Sequence, residues 1–135
     1  QVITAVDTTI LIDILEPDPV HGLRSKEALK KCLREGAVVA CDVVWAEVAT
    51  AYGNNPNDLV EALQVMRIGF SAMSMESALG AARSWHNYRR RGGGRERIAA
   101  DFLIGGHAAA QAERLLTRDL GFYRKYFTGV AVVSP

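Results

Sequence analysis

The feature that most constrains this chain is a repeated junction. A short, β-branched apolar run closes near a carboxylate and passes at once into helical spacing. Val2–Val6 ends at Asp7, and Ile10, Leu11, Ile14 and Leu15 then fall on one side of a helix over Thr8–Leu15. Ala37–Cys41 ends at Asp42, a residue type suited to cap a helix over Val43–Tyr52. Leu115-Leu116-Thr117 is followed by Asp119 and a short helix over Leu120–Tyr126. Runs this apolar suit strands buried on both faces, and helices between them supply the crossovers. The pattern therefore predicts an α/β fold with a mainly parallel sheet.

The rest of the chain fits this scheme. Leu23–Leu33 reads as an amphipathic helix, with Leu23, Ala28, Leu29 and Leu33 turned inward and Gly36 as its C-cap. Gly53-Asn54-Asn55-Pro56 breaks the chain, and Asn57 is placed to cap a helix through Met66. Ile68–Met73 reads as a weak strand. Ser74 caps a long helix through Arg90, which Gly92-Gly93-Gly94 ends. Ile98–Glu113 is a further helix and Val130–Val133 a last strand. No repeat or linker interrupts the 135 residues, so a single domain over 1–135 is expected. A chain of this size buries roughly two-thirds of its unfolded surface, enough for a core without staples.

Several function classes drop out. Cys32 and Cys41 fit no C-x-x-C pattern, so a disulfide scaffold or cysteine-rich zinc site is not expected. Both read as small buried hydrophobes. No apolar run reaches the ~18 residues of a membrane span, and no basic-then-apolar leader opens the sequence. A cytoplasmic protein without a membrane partner is expected. Gln1 stands first rather than Met, so a few residues are expected to precede it. Gly92-Gly93-Gly94 lacks the lysine of a P-loop and the spacing of a dinucleotide fingerprint.

Charge is divided along the chain. Residues 1–82 hold 6 Lys+Arg and 11 Asp+Glu; residues 83–135 hold 10 and 4. Six arginines lie between Arg83 and Arg97, opposed only by Glu96. A basic stretch of this kind suits an RNA backbone or an acidic protein segment. It equally suits a solvated helix end.

In open α/β sheets, ligands gather beyond the carboxyl ends of the strands. Asp7 follows the first strand, Glu47 lies about one turn into the helix after the second, and Asp119 follows the Leu115–Thr117 strand. Asp101 stands near the start of the preceding helix. Asp7, Glu47 and Asp101 sit among apolar neighbours, where a carboxylate is costly unless paired or bound to a cation. Each also has a plainer reading: helix cap, exposed helix residue or turn residue. Carboxylates sharing a cleft repel, and a divalent cation relieves that repulsion. Hard oxygen ligands without a Cys or His cluster favour Mg²⁺ or Mn²⁺, which suits phosphoryl chemistry.

Taken in order, Val6-Asp7-Thr8-Thr9-Ile10-Leu11-Ile12-Asp13, Ala46-Glu47-Val48, Ala100-Asp101-Phe102-Leu103-Ile104-Gly105-Gly106-His107-Ala108 and Leu116-Thr117-Arg118-Asp119-Leu120-Gly121-Phe122-Tyr123 resemble the PIN-domain pattern. The likeness spans essentially the whole chain and is nearest to VapC-type toxins of VapBC toxin–antitoxin pairs. It implies a three-layer fold, with a parallel five-stranded sheet flanked by helices. It implies a Mg²⁺- or Mn²⁺-dependent endoribonuclease, the toxin of a type II toxin–antitoxin system. It further implies an RNA substrate, a cognate VapB-like antitoxin and a homodimer. Carried over residue by residue, Asp7, Glu47, Asp101 and Asp119 form the acidic metal site, Thr117 lies near it, and Thr8 is the small hydroxyl residue after the first acid. Asp42 departs from the pattern, which more often has Ser or Thr there; it reads as an N-cap or as an outer acid.

Other residues draw plainer expectations. Arg118 contacts a phosphate or pairs with an acid. His107, six positions past Asp101, and Asp13 read as structural, and His21 and His86 as surface residues. Trp45, Trp85 and Tyr88 read as packing or dimer residues. Gly105-Gly106 suits a close helix–sheet contact. The competing functional class is a PIN-like module that binds RNA or protein without cutting. A haloacid-dehalogenase-type phosphatase is disfavoured, because the second Asp it needs is Thr9 here.

Overall fold

A computed structural model describes residues 1–53 and 55–135; Asn54, within the expected Gly53–Pro56 break, lies outside the described residues. In chain order the elements are β1 (Val2–Val6), α1 (Thr8–Leu15), α2 (Gly22–Glu35), β2 (Gly36–Cys41), α3 (Asp42–Tyr52), α4 (Pro56–Val65), β3 (Ile68–Ser71), α5 (Met75–Arg90), α6 (Ala99–Gln111), β4 (Arg114–Leu116), α7 (Leu120–Tyr126) and β5 (Ala131–Val133). The expected strand–helix alternation is present throughout.

The five strands form one sheet in the order β3-β2-β1-β4-β5, and every pair is parallel. β1 is central, with Ile3 opposite Ala37 on one side and Val6 opposite Leu116 on the other. The chain winds outward from β1 through β2 to β3, then crosses to β4 and β5. The direction of winding therefore reverses between β1 and β4, where loops separate and leave a crevice at the strands' carboxyl ends. Asp7 and Thr117 are the first residues beyond those two strands.

The sheet is sealed by helices. α1 packs on α2 and α3, while α5 packs on α6, which also reaches β1 and β4. Ile10, Leu11, Phe102, Leu115 and Leu116 are fully buried; truncating any of the leucines to Ala costs about 2–5 kcal/mol. An aromatic cluster of Tyr88, Phe102, Phe122 and Tyr126 joins α5, α6 and α7 edge to face. Trp85 stacks on Phe102, and Trp45 meets Phe70 edge-on, so both tryptophans pack within the chain. Cys32 and Cys41 are buried free thiols. Among the described residues, no helix is long and apolar enough to cross a membrane.

Several local expectations are corrected. Leu23 is 75% exposed, and the inward stripe of α2 is Gly22, Ser25, Leu29 and Cys32. Ser25 turns in because its hydroxyl donates to buried Asp13 at 2.7 Å. Asp42 is the first residue of α3 rather than its N-cap; Cys41 holds that position without a side-chain bond. Asn55, not Asn57, caps α4, accepting from the Asn57 N–H at 3.0 Å. Gly36 does cap α2, its N–H donating to the Cys32 carbonyl, and it also opens β2 opposite Val2, where a Cβ would stand 1.9 Å from the Val2 carbonyl oxygen. Close strand approach requires that glycine. The Gly105-Gly106 pair faces helix and loop rather than sheet: Gly106 abuts Ser77 and Ala81 of α5, and Gly105 abuts the Phe127 ring.

Candidate active site

The crevice is built around Asp7. Its backbone is extended and its N–H donates to the Leu116 carbonyl at 2.9 Å, continuing the β1–β4 seam. Its side chain caps α1, accepting from the Thr8 N–H at 2.8 Å. The buried Thr117 hydroxyl donates to its other oxygen at 2.7 Å and accepts from the Asp119 N–H at 3.0 Å. Thr117 thus couples the ends of two strands.

The other acids arrive from three helices. Glu47, on α3, accepts from the Thr8 hydroxyl at 2.6 Å. Asp101 lies in the first turn of α6 and accepts from the Ile98 N–H at 3.2 Å. Asp119 holds the N-cap position of α7 but makes no side-chain cap bond; its carboxylate pairs with Arg97 instead. Asp7, Thr8, Glu47, Asp101, Arg118 and Asp119 line one cavity of about 350 Å³, with Thr9 and Ile104 completing its wall. All seven site residues singled out in the sequence therefore converge: six on the cavity, and Thr117 immediately behind it.

The electrostatics are those of a site with surplus negative charge. Burial pushes the Asp7 carboxyl above its ordinary range. The Thr117 and Thr8 hydrogen bonds oppose that rise, and the nearby Asp101 and Glu47 carboxylates add to it. Tyr123, on α7 and buried, has its phenol driven far above the usual range by burial and by the charges of Asp7, Asp101 and Asp119. It is a buried, neutral group within the field of three of the acids and does not itself line the cavity. The donor chemistry fits a hard divalent cation. In their present orientations, however, no three His, Cys, Asp or Glu side chains among the described residues are grouped to hold one. Each acid is turned toward a donor of its own chain.

Two residues escaped sequence reasoning. Arg97 was only one arginine of a basic stretch, and Tyr123 carried no signal beyond its place four residues after Asp119. Arg118 resolves the two expectations held for it: it lines the cavity and pairs with Asp13 through two hydrogen bonds at 3.0 and 3.1 Å. Asp42 is outside the lining. His107 is buried and shares a 2.8 Å hydrogen bond with Ser71, a structural role, while His86 is exposed and His21 half-buried.

The basic stretch is fastened to the aromatic cluster. Arg89 lies over Trp85, Arg91 over Tyr126 and Arg97 over Phe122, the last at 4.1 Å from the ring centre. A groove of about 700 Å³ runs here, lined by Trp85, Arg89, Arg95 and Arg97 among others. Arg97 thus belongs to the basic groove and touches the acidic cavity. A larger cavity of about 1080 Å³ lies beside α4, but its acids Asp58 and Glu61 are exposed and unclustered.

Comparison with known proteins agrees with this fold. A family model described as PIN domain matches residues 4–128. No curated protein matches the sequence. Among solved structures, VapBC2 from Rickettsia felis, bound to a DNA fragment from its promoter, superposes with a TM-score of 0.75 at 16% identity, covering 98% of each chain. VapBC-1 from nontypeable Haemophilus influenzae gives 0.73 at 15%, covering 98% of this chain and 97% of that one. FitAcB from Neisseria gonorrhoeae gives 0.66 at 25%, covering 96% and 95%.

Proposed function

This chain belongs to the PIN domain family, and from that premise we propose that it is a Mg²⁺- or Mn²⁺-dependent endoribonuclease, the toxin of a type II toxin–antitoxin pair. The observation that carries the reading is the convergence of Asp7, Glu47, Asp101 and Asp119 on one cavity at the β1–β4 crevice. Four carboxylates in one small cavity are held together against their mutual repulsion. That is costly for a fold and useful for cation chemistry.

The acidic cavity would hold the ion, which when bound supplies polarisation of a phosphoryl oxygen and a water acidic enough to attack phosphorus. The chain's own groups do the positioning. Thr117 fixes the plane of the Asp7 carboxylate, and Thr8 holds Glu47. Arg118, oriented by Asp13, presents its remaining N–H groups to a phosphate at the cavity wall. The groove of Trp85, Arg89, Arg95 and Arg97 offers positive charge to the flanking strand.

The fold likeness to VapBC2, VapBC-1 and FitAcB supports a VapB-like antitoxin as partner. Exposed Phe70, Met75 and Leu79 supply apolar surface for such a partner or for a homodimer.

The test is incubation of antitoxin-free protein with total RNA in Mg²⁺, Mn²⁺ or EDTA, with ends mapped by sequencing and Asp7→Ala as the control preparation. Discrete, cation-dependent cuts absent from the control support the reading. Cuts that persist in EDTA or in Asp7→Ala overturn it. RNA binding without cleavage in any condition favours a binding module instead.

A further inference from the structure

The four carboxylates of the cavity are not equivalent. The recorded partners of Asp7, Glu47 and Asp101 are neutral donors: the Thr117 and Thr8 hydroxyls and two backbone N–H groups. Such donors orient a carboxylate without cancelling its charge. Asp119 alone is paired with a full positive charge, the Arg97 guanidinium. A guanidinium keeps its charge at every pH the protein meets.

The surroundings hold this pair in place. The Arg97 guanidinium lies over the Phe122 ring, and Phe122 is buried among Tyr88, Phe102 and Tyr126. Arg97 immediately precedes Ile98, whose N–H is bound by Asp101, so the backbone carrying the arginine is tied to the cavity itself. Asp119 gives independent testimony. An aspartate at an N-cap ordinarily accepts from the helix's first N–H groups, yet this one makes no cap bond and turns to Arg97.

We infer that Arg97 is a positioning residue, the built-in counter-cation of the cavity: it withdraws Asp119 from direct contact with a divalent cation and leaves Asp7, Glu47 and Asp101 as the contacting set. This inference rests on the cation-dependent reading above. A divalent ion approaching Asp119 meets a fixed positive charge already hydrogen-bonded there. Approaching the other three acids, it meets carboxylates whose hydrogen-bond donors are neutral; Arg97 acts on Asp101 only through space, and the guanidinium of Arg118 at the cavity wall is engaged by Asp13. Arg97 also lines the basic groove, so the same side chain joins the strand path to the carboxylates.

The experiment is calorimetric titration of RNA-free protein with Mn²⁺, with melting curves to confirm folding. The variants are Asp119→Asn, Asp101→Asn, Arg97→Gln, Arg97→Lys and the Arg97→Gln/Asp119→Asn double. Asp101→Asn is expected to weaken Mn²⁺ binding at least about tenfold, and Asp119→Asn by less than about threefold. Arg97→Gln is expected to tighten binding about tenfold, a gain that the double variant loses and Arg97→Lys does not show. If Asp119→Asn weakens binding as much as Asp101→Asn, this inference falls and the cation reading stands. If the wild-type protein binds no Mn²⁺, both fall together. Asp119→Asn and Arg97→Lys decide the matter even if Arg97→Gln fails to fold.

Discussion

Arg118 reaches back 105 residues along the chain to grip Asp13 with two parallel hydrogen bonds, Nε to one carboxylate oxygen at 3.0 Å and Nη2 to the other at 3.1 Å. The Asp13 side chain is 5% exposed and also accepts from Ser25. A buried carboxylate that loses such donors is left unsatisfied, at a cost in stability. Arg118→Ala is therefore expected to cost about 1–3 kcal/mol in urea denaturation, below the full cost for a wholly buried pair because Arg118 is partly exposed. Asp13→Asn/Arg118→Ala should cost less than the two single changes added. Strict additivity would show that the pair contributes nothing.

Asp7 makes stability depend on pH in a definite direction. Its folded-state carboxyl titrates above the unfolded value, so the folded protein binds that proton more tightly. Stability therefore falls as pH rises from about 4, the unfolded value, through the raised folded one. Asp7→Asn removes this burden. In EDTA at pH 8 it should melt about 2–6 °C above wild type, and the difference should vanish near pH 3. Mn²⁺ should raise the melting temperature of wild type and not of Asp7→Asn. A less stable Asp7→Asn at pH 8 would contradict the account.

Thr117 is buried and joins Asp7 to the Asp119 backbone. Thr117→Val keeps the shape and deletes the hydroxyl. Mapped RNA cleavage should fall about 10- to 100-fold, as for other residues that orient ligands. Stability should fall by about 1–3 kcal/mol, since buried Asp7 loses a donor. Thr117→Ser should recover most of both. Wild-type cleavage rates in the valine variant would remove Thr117 from the site.

Gly106 and Gly121 make opposite predictions from one chemical change. A Cβ at Gly106 would stand 2.4 Å from the Ser77 carbonyl oxygen and 2.9 Å from the Ala81 Cβ, whereas one at Gly121 meets nothing within 4 Å. Gly106→Ala should destabilise by about 1–3 kcal/mol despite the better helix propensity. Gly121→Ala, within α7, should stabilise by about 0.5–1 kcal/mol. Thermal melts of the two variants decide it; a neutral Gly106→Ala would mean that α5 and α6 are free to separate there.

What can be read from the chain alone is what short windows encode. Val2–Val6 is a strand because its residues are mostly apolar and β-branched, though only Thr4–Val6 is buried, and Asp7 marks its end because a carboxylate cannot continue such a run. The same local logic located β2 and β4, the helices between them, and the acids at the strands' carboxyl ends. Parallel strands place those ends on one side, which points Asp7, Glu47 and Asp119 to one edge; for Asp101, on the helix before β4, spacing left the cleft open and the family resemblance supplied it. Tertiary structure decided the rest. It chose Ser25 over Leu23 as the inward residue of α2, because Asp13 needed a donor there. It set Gly106 against α5 instead of the sheet, laid Arg97 over Phe122 and against Asp119, and buried Tyr123 within the field of three of the acids. Hydropathy periodicity reports that a residue faces inward, but not what it meets. The groups that orient this site lie as far apart as Asp7 and Thr117, 110 residues along the chain, and only the pairing of β1 with β4 brings them within a hydrogen bond.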